Sequence, residues 1–303
     1  RSGRPMLAKS LVTHDEQLKR VWAKYAKQLR ILASTAKLTR TSDDENDKPH
    51  FRSDAWPIII NAATTALQTL RPEVDRFNVQ QWFRDWSRWR VVDREVIAQL
   101  RHSYDVATGR KPVDEAWALG LAWQKLYPAL VGLVSQAGLA SESLDGFHRI
   151  AIEMERIAFG PPAENVGRIL ALYDAGLIDL KFLADSAPDR DSAGNRTLVC
   201  GRRVIEVDRL IDATIPGPHQ NEQGGILDRL ASDAFVHHDS VGLHVNDSGR
   251  LMQRNGNVLP GIAVFGRVTE GSVLGNDTLS RTLHVHLDRW TESLVRTRTR
   301  TMS

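Results

Sequence analysis

Between Pro260 and Leu279 the chain reads Pro-Gly-Ile-Ala-Val-Phe-Gly-Arg-Val-Thr-Glu-Gly-Ser-Val-Leu-Gly-Asn-Asp-Thr-Leu. The apolar run at 262–265 predicts a buried strand that closes on Gly266. Glycines 271 and 275 mark a loop, and Asn276-Asp277-Thr278 opens a helix. Strand, glycine turn and capped helix start together present backbone N–H groups to an anion or an electron-rich ring. A second stretch, residues 207–214, reads Val-Asp-Arg-Leu-Ile-Asp-Ala-Thr before Pro216-Gly217-Pro218. It predicts a strand whose C-terminal Ala213 and Thr214 lie where open α/β sheets bind ligands.

Other chemistries find less support. No G-x-S-x-G elbow, Walker A sequence or G-x-G-x-x-G turn occurs in the chain. Cys200, the single cysteine, has apolar flanks that predict a buried structural thiol and a raised pKa, not a nucleophile. His237-His238 and His284-x-His286 lack the i, i+4 spacing of a helical metal pair, and no cysteine or carboxylate cluster completes a ligand set, so no metal is expected. Asp174 and Asp179 read as capping or solvated residues. Trp82, Trp86 and Trp89 recur at i, i+4, i+7 and predict a core stripe, each ring burying a large apolar area. With Phe83 they are expected to anchor helices onto the α/β part. No side chain stands out as a general acid or base, and the catalytic residues are unknown at this level.

The elements around these residues fall into two regimes. From about 13 to 175 the apolar spacing is helical. Thr13 and Glu16 have capping-box spacing ahead of Leu18, Val21, Trp22, Tyr25, Leu29 and Leu32. Pro57 suits the first turn of a helix reaching about Leu70. Further helices are expected over the tryptophans and over 92–104, 113–134, 144–159 and 161–176. From Leu177 short β-like runs take over, at 177–180, 197–200, 203–207, 209–213, 242–245 and 262–265. A short helix is expected at 225–234 and a long one from Asp277 to about Val295.

Composition bounds the classes. The chain has 303 residues, 42% hydrophobic and 25% charged, with a formal net charge of +3. Basic residues lie among acidic ones and cluster only at Arg296, Arg298 and Arg300, which gives no nucleic-acid footprint. No apolar run approaches the ~20 residues of a membrane helix. One cysteine suits a reducing compartment, so a cytoplasmic location is expected.

Taken in order, the motifs resemble one family. Leu210-Ile211-Asp212-Ala213-Thr214 resembles the D-x-V-I-x-A-T-G strand end of two-dinucleotide-domain flavoproteins, with Ile215 in place of the glycine. The segment from Pro260 to Gly266 resembles their terminal flavin segment, with Arg267 in place of the usual aspartate. Those departures, residues 275–284, Phe159-Gly160-Pro161-Pro162 with Asn165, residues 172–176, and Ser2-Gly3-Arg4-Pro5 are similar to the bacterial FAD-NAD(P)-binding proteins. These are distant relatives of N-hydroxylating flavin monooxygenases.

The resemblance implies an α/β fold, a two-dinucleotide-binding-domain (Rossmann-like) flavoprotein, N-terminally truncated and carrying a large helical insertion. The expected division is a remnant of the NAD(P)-binding domain at 1–12, the insertion at 13–176, the rest of the NAD(P)-binding domain at 177–220, and the C-terminal part of the FAD-binding domain at 221–303. The glycine fingerprints would lie upstream of Arg1. Carried over by position, the FAD-side residues are Gly266, Arg267, Gly275, Asn276, Asp277 and Thr278; Ala213 and Thr214 belong to the partner strand. Ser2 and Arg4 would meet an NADP ribose phosphate. The implied function is that of an FAD-dependent, NAD(P)H-using oxidoreductase, a monooxygenase acting on a small molecule. Two alternatives stay open: a flavin reductase or dehydrogenase without oxygen activation, and a non-catalytic helical interaction module.

Overall fold

The computed structural model describes residues 4–10, 14–39, 45–90, 93–136, 138–180, 182, 186–190, 194–211, 213, 238–239, 242–275, 283 and 285–301. The chain divides into two compact units, each assembled from separated segments. The first contains 1–28, 51–126 and 143–213; the second contains 29–50, 127–142 and 214–303. The helical stretch at 13–176 is thus shared between them.

Helices form where the 3.6-residue spacing predicts them. They are α1 (Asp15–Thr39), α2 (Trp56–Leu70), α3 (Val79–Arg88), α4 (Asp93–Ala107), α5 (Glu115–Val134), α6 (Leu144–Ala158) and α7 (Ala163–Asp174). A turn of π-helix, Phe51–Ala55, leads into α2, and proline occupies the first turn of α2 as expected. Asn78 caps α3 by accepting the Gln81 N–H at 3.0 Å. On α2, Ile59, Ala62, Ala63, Ala66 and Leu67 are fully buried and form one face of the helix.

In the first unit the core centres on Phe51. Its ring lies 4.9 Å from Phe147 and 6.5 Å from Trp123, both edge-to-face. Each such side chain contributes about 1.5–3 kcal/mol on burial. Trp86 and Phe83 are buried in this unit as well, whereas Trp82 and Trp89 are half-buried. Trp82 stacks on Trp86 at 5.7 Å, and Phe83 lies 4.8 Å from Trp56. A separate cluster of Ile97, Val166 and Leu170 joins α4 to α7.

The expected Rossmann-like fold is not what the chain forms. Among the described residues the strands are β1 (Ala187–Arg190), β2 (Arg196–Cys200), β3 (Arg203–Glu206), β4 (His238–Asp239), β5 (Gly242–Leu243), β6 (Arg250–Met252) and β7 (Val258–Ala263). They make three separate sheets, β1-β2-β3, β4-β5 and β6-β7, and every pairing is antiparallel. The cause lies in the sequence. A parallel sheet covered on both faces needs near-continuous apolar strands and long crossovers. Here β1 and β3 are exposed along their whole length, and β2 joins β3 through the two residues Gly201-Arg202.

Two expected strands are missing. Residues 177–180 are irregular, and so are 208–211. Leu210 and Ile211 are 46% and 84% exposed, so no neighbouring layer covers them and their β-propensity goes unused. Cys200 closes β2 half-buried instead of buried.

The second unit holds a hairpin, β6–β7, with a cluster of Leu243, Val245, Leu251 and Val273 beneath it. Helix α8 runs over His286–Thr301; the expected helix start at Asp277 lies outside the described residues. It is tied to the hairpin by Phe265, which stacks on His286 at 6.0 Å and meets Trp290 edge-on at 5.8 Å. Arg250 donates to Ser293, and Arg289 pairs with Asp247 at 3.3 Å. The expected helix at 225–234 lies outside the described residues.

Candidate functional site

Two places collect chemistry-bearing groups, one in each unit. In the second unit β7 ends at Ala263, and after two more residues comes Gly266, whose φ of 91° and ψ of −167° belong to a backbone region that side chains rarely adopt. Its carbonyl is pinned by Thr269, which donates both its N–H at 3.0 Å and its hydroxyl at 2.9 Å. Thr269 is fully buried, so the turn is fixed from below. The Gly266 N–H has no acceptor among the described residues. A Cβ added there would meet nothing within 4 Å. The turn therefore offers an open backbone face with one donor.

The other expected FAD-side residues separate in character. Arg267 opens a single 3-10 turn, with Nε 3.9 Å from a Glu270 carboxylate oxygen. Gly275 has φ 70°, a region that favours glycine, and a Cβ there would also stand 2.8 Å from the Tyr127 hydroxyl on α5. The same unit contains a cavity of about 260 Å³ whose lining includes Val273, His286 and Arg289. Asn276, Asp277, Thr278, Thr214 and Ser2 lie outside the described residues.

Ala213 and Arg4 belong to the first unit. Ala213 is exposed and follows the irregular stretch in place of the expected strand. The Arg4 guanidinium donates to the Ser87 and Trp89 carbonyls at 2.6 and 3.3 Å and to Glu153 at 2.8 Å. Its donors hold the fold together at this point.

The first unit carries a cavity that the sequence did not reveal, of about 170 Å³. Its apolar wall includes Leu7, Val106, Trp117, Ile157 and Ala158, and its polar wall includes Lys9, His14, Asp15, His102, Asp114 and Lys125. The segment 4–10 forms one side. Leu7 N–H donates to the Arg156 carbonyl at 2.8 Å and Lys9 N–H to the Pro161 carbonyl at 2.9 Å. At Gly120 a Cβ would lie 2.9 Å from the Ile157 carbonyl oxygen, so glycine lets α5 and α6 approach closely beside the cavity.

Asp114 organises the polar wall. One carboxylate oxygen accepts the Trp117 N–H at 2.9 Å, capping α5, and the other accepts His102 Nε2–H at 2.7 Å. The hydrogen bond to Asp114 raises the His102 pKa above its usual 6.5; burial and Lys111 oppose the shift, while the charges of Asp114 and Asp105 add to it. Lys111 Nζ lies 3.5 Å from the other ring nitrogen. Across the wall Lys125 pairs with Asp15 at 2.7 Å. Asp114 falls inside the helix that the sequence predicts over 113–134, and its capping role emerges only from the structure. Its pairing with His102, on a different helix, has no sequence signature.

The sign of this shift fixes a pH effect. A histidine with a raised folded pKa contributes stability that is complete below about 6.5 and is lost as the pH rises through the folded value. Urea midpoints of the protein and of His102→Gln are therefore expected to differ most below the usual histidine range and to converge as the pH rises through the folded value. A gap that widens on raising the pH would contradict the pairing.

No known protein family's profile matches the chain, and no curated protein matches it. No helix among the described residues is long and apolar enough to cross a membrane.

Proposed function

We propose that the chain serves an FAD-dependent, NAD(P)H-using oxidoreductase acting on a small molecule, with monooxygenation as the reaction. The reading rests on the motif resemblance and on one observation that supports it: the turn after β7 holds Gly266 open, in a glycine-only backbone region, with its N–H unclaimed among the described residues. A glycine there fits a ring or phosphate laid against the backbone, because any side chain would occupy the approach. Gly266 and Arg267 are the described residues that would hold the cofactor. Gly275 shapes the loop behind them. The flavin, when bound, supplies hydride acceptance and oxygen activation; the chain supplies position, shielding and a hydrogen-bond donor.

This reading stands without the doubly wound fold and assigns Arg4 no cofactor role. Its test uses the protein expressed from its complete gene. After loading with FAD and desalting, the protein is expected to retain the visible flavin band, and Gly266→Ala is expected to retain markedly less, with a melting temperature lowered slightly by the strain of a side chain at φ 91°. Should the variant melt early, Arg267→Ala takes its place. Equal retention in a folded variant would contradict the role of this turn.

A further inference from the structure

We infer that the first unit's cavity is a binding site for a small organic anion with a compact ring or branched apolar body. The site lies wholly within that unit and is independent of the flavin reading. At about 30 Å³ per water, its 170 Å³ holds about six waters, or one ring bearing a single substituent. Small-molecule sites combine a largely apolar lining with a few placed polar groups, and this cavity has that make-up. Leu7, Val106, Ile157 and Ala158 are all buried and offer the apolar body a dry wall.

Charge bookkeeping selects the sign of the ligand. Two carboxylates face the cavity, and both are engaged: Asp15 with Lys125, Asp114 with His102 and the Trp117 N–H. Neither is left to receive a cationic ligand. Lys9 is the lining cation whose ammonium has no acidic partner among the described residues, and its backbone is fixed by the bond to Pro161. An anion completes this set by pairing with Lys9. When His102 is protonated the lining carries one more positive charge, and the groups facing that ring are Asp114, Asp105 and Lys111. Binding of an anion therefore strengthens as the pH falls.

The test is calorimetric titration of the full chain with three probes of one shape: benzoate, benzyl alcohol and benzylamine. At about pH 6, benzoate is expected to bind most tightly. Lys9→Gln is expected to weaken benzoate about tenfold, the loss of one charge-assisted bond, and Lys9→Arg to restore it. Because Lys9 is exposed, both variants should keep the parent's urea midpoint. Raising the pH to about 8.5 should weaken benzoate in the unmodified protein. No benzoate binding, equal binding of the alcohol, preference for the amine, or indifference to Lys9→Gln would each overturn the inference. Flavin retention plays no part in these readouts, so the two proposals fail separately.

Discussion

Replacing Glu153 by alanine is expected to cost about 3–5 kcal/mol of unfolding free energy, measured by urea denaturation, because it leaves buried partners without their charge. The carboxylate and the Arg4 side chain are each only 12% exposed. One oxygen accepts from Arg4 at 2.8 Å and from Arg156 at 3.2 Å; the other accepts the Trp86 indole N–H at 3.0 Å. The single group thus joins the segment at 4–10, the tryptophan helix α3 and its own helix α6. Removing it takes a buried carboxylate acceptor from Arg4 and Arg156 and leaves the Trp86 indole N–H without its acceptor. The paired change Arg4→Met with Glu153→Met should recover only part of the loss: it removes both buried charges, but the Trp86 indole N–H and the Ser87 and Trp89 carbonyls lose these partners. A loss below about 1 kcal/mol for Glu153→Ala would show that water reaches the pair freely.

The second large effect is expected at Gly160, where alanine should cost about 3 kcal/mol through overpacking. A Cβ there would overlap the Leu7 carbonyl oxygen, a backbone atom that no rotamer change can move. Leu7 is held in place by its bond to Arg156, and Lys9 by its bond to Pro161. The 4–10 segment must therefore lift from the α6–α7 corner, taking a wall of the cavity with it. Gly176→Ala is the control. Gly176 has φ 72° but open space around it, so its cost is conformational and smaller, about 1 kcal/mol. Equal losses at the two glycines would contradict the overlap.

The helices were legible because their signals are local. Pro57 at the head of α2 and the buried face from Ile59 to Leu67 each act within a few residues. The sheets were not legible for the opposite reason. Residues 209–213 and 203–206 look alike as sequence, yet only the latter finds a strand to pair with. The apolar run at 262–265 predicted a buried strand, whereas β7 covers Val258–Ala263 and residues 262–265 are half-buried. Gly275 was read as a cofactor residue, whereas its packing against Tyr127 became visible only in three dimensions. The cavity of the first unit stayed hidden because its residues come from four stretches of chain. Lys9, Asp15, His102 and Lys125 each look like solvated helix or loop residues in isolation.

The cavity and the glycine turn are separate claims on separate units, and the turn carries the functional reading. Its most direct measurement is the visible spectrum of the FAD-loaded protein, expressed from its complete gene, during anaerobic addition of NADH and then NADPH. The account predicts a flavin band that survives desalting and is bleached by one of the two nucleotides. A protein that retains no flavin, or one whose flavin dithionite bleaches and neither nucleotide does, would contradict it.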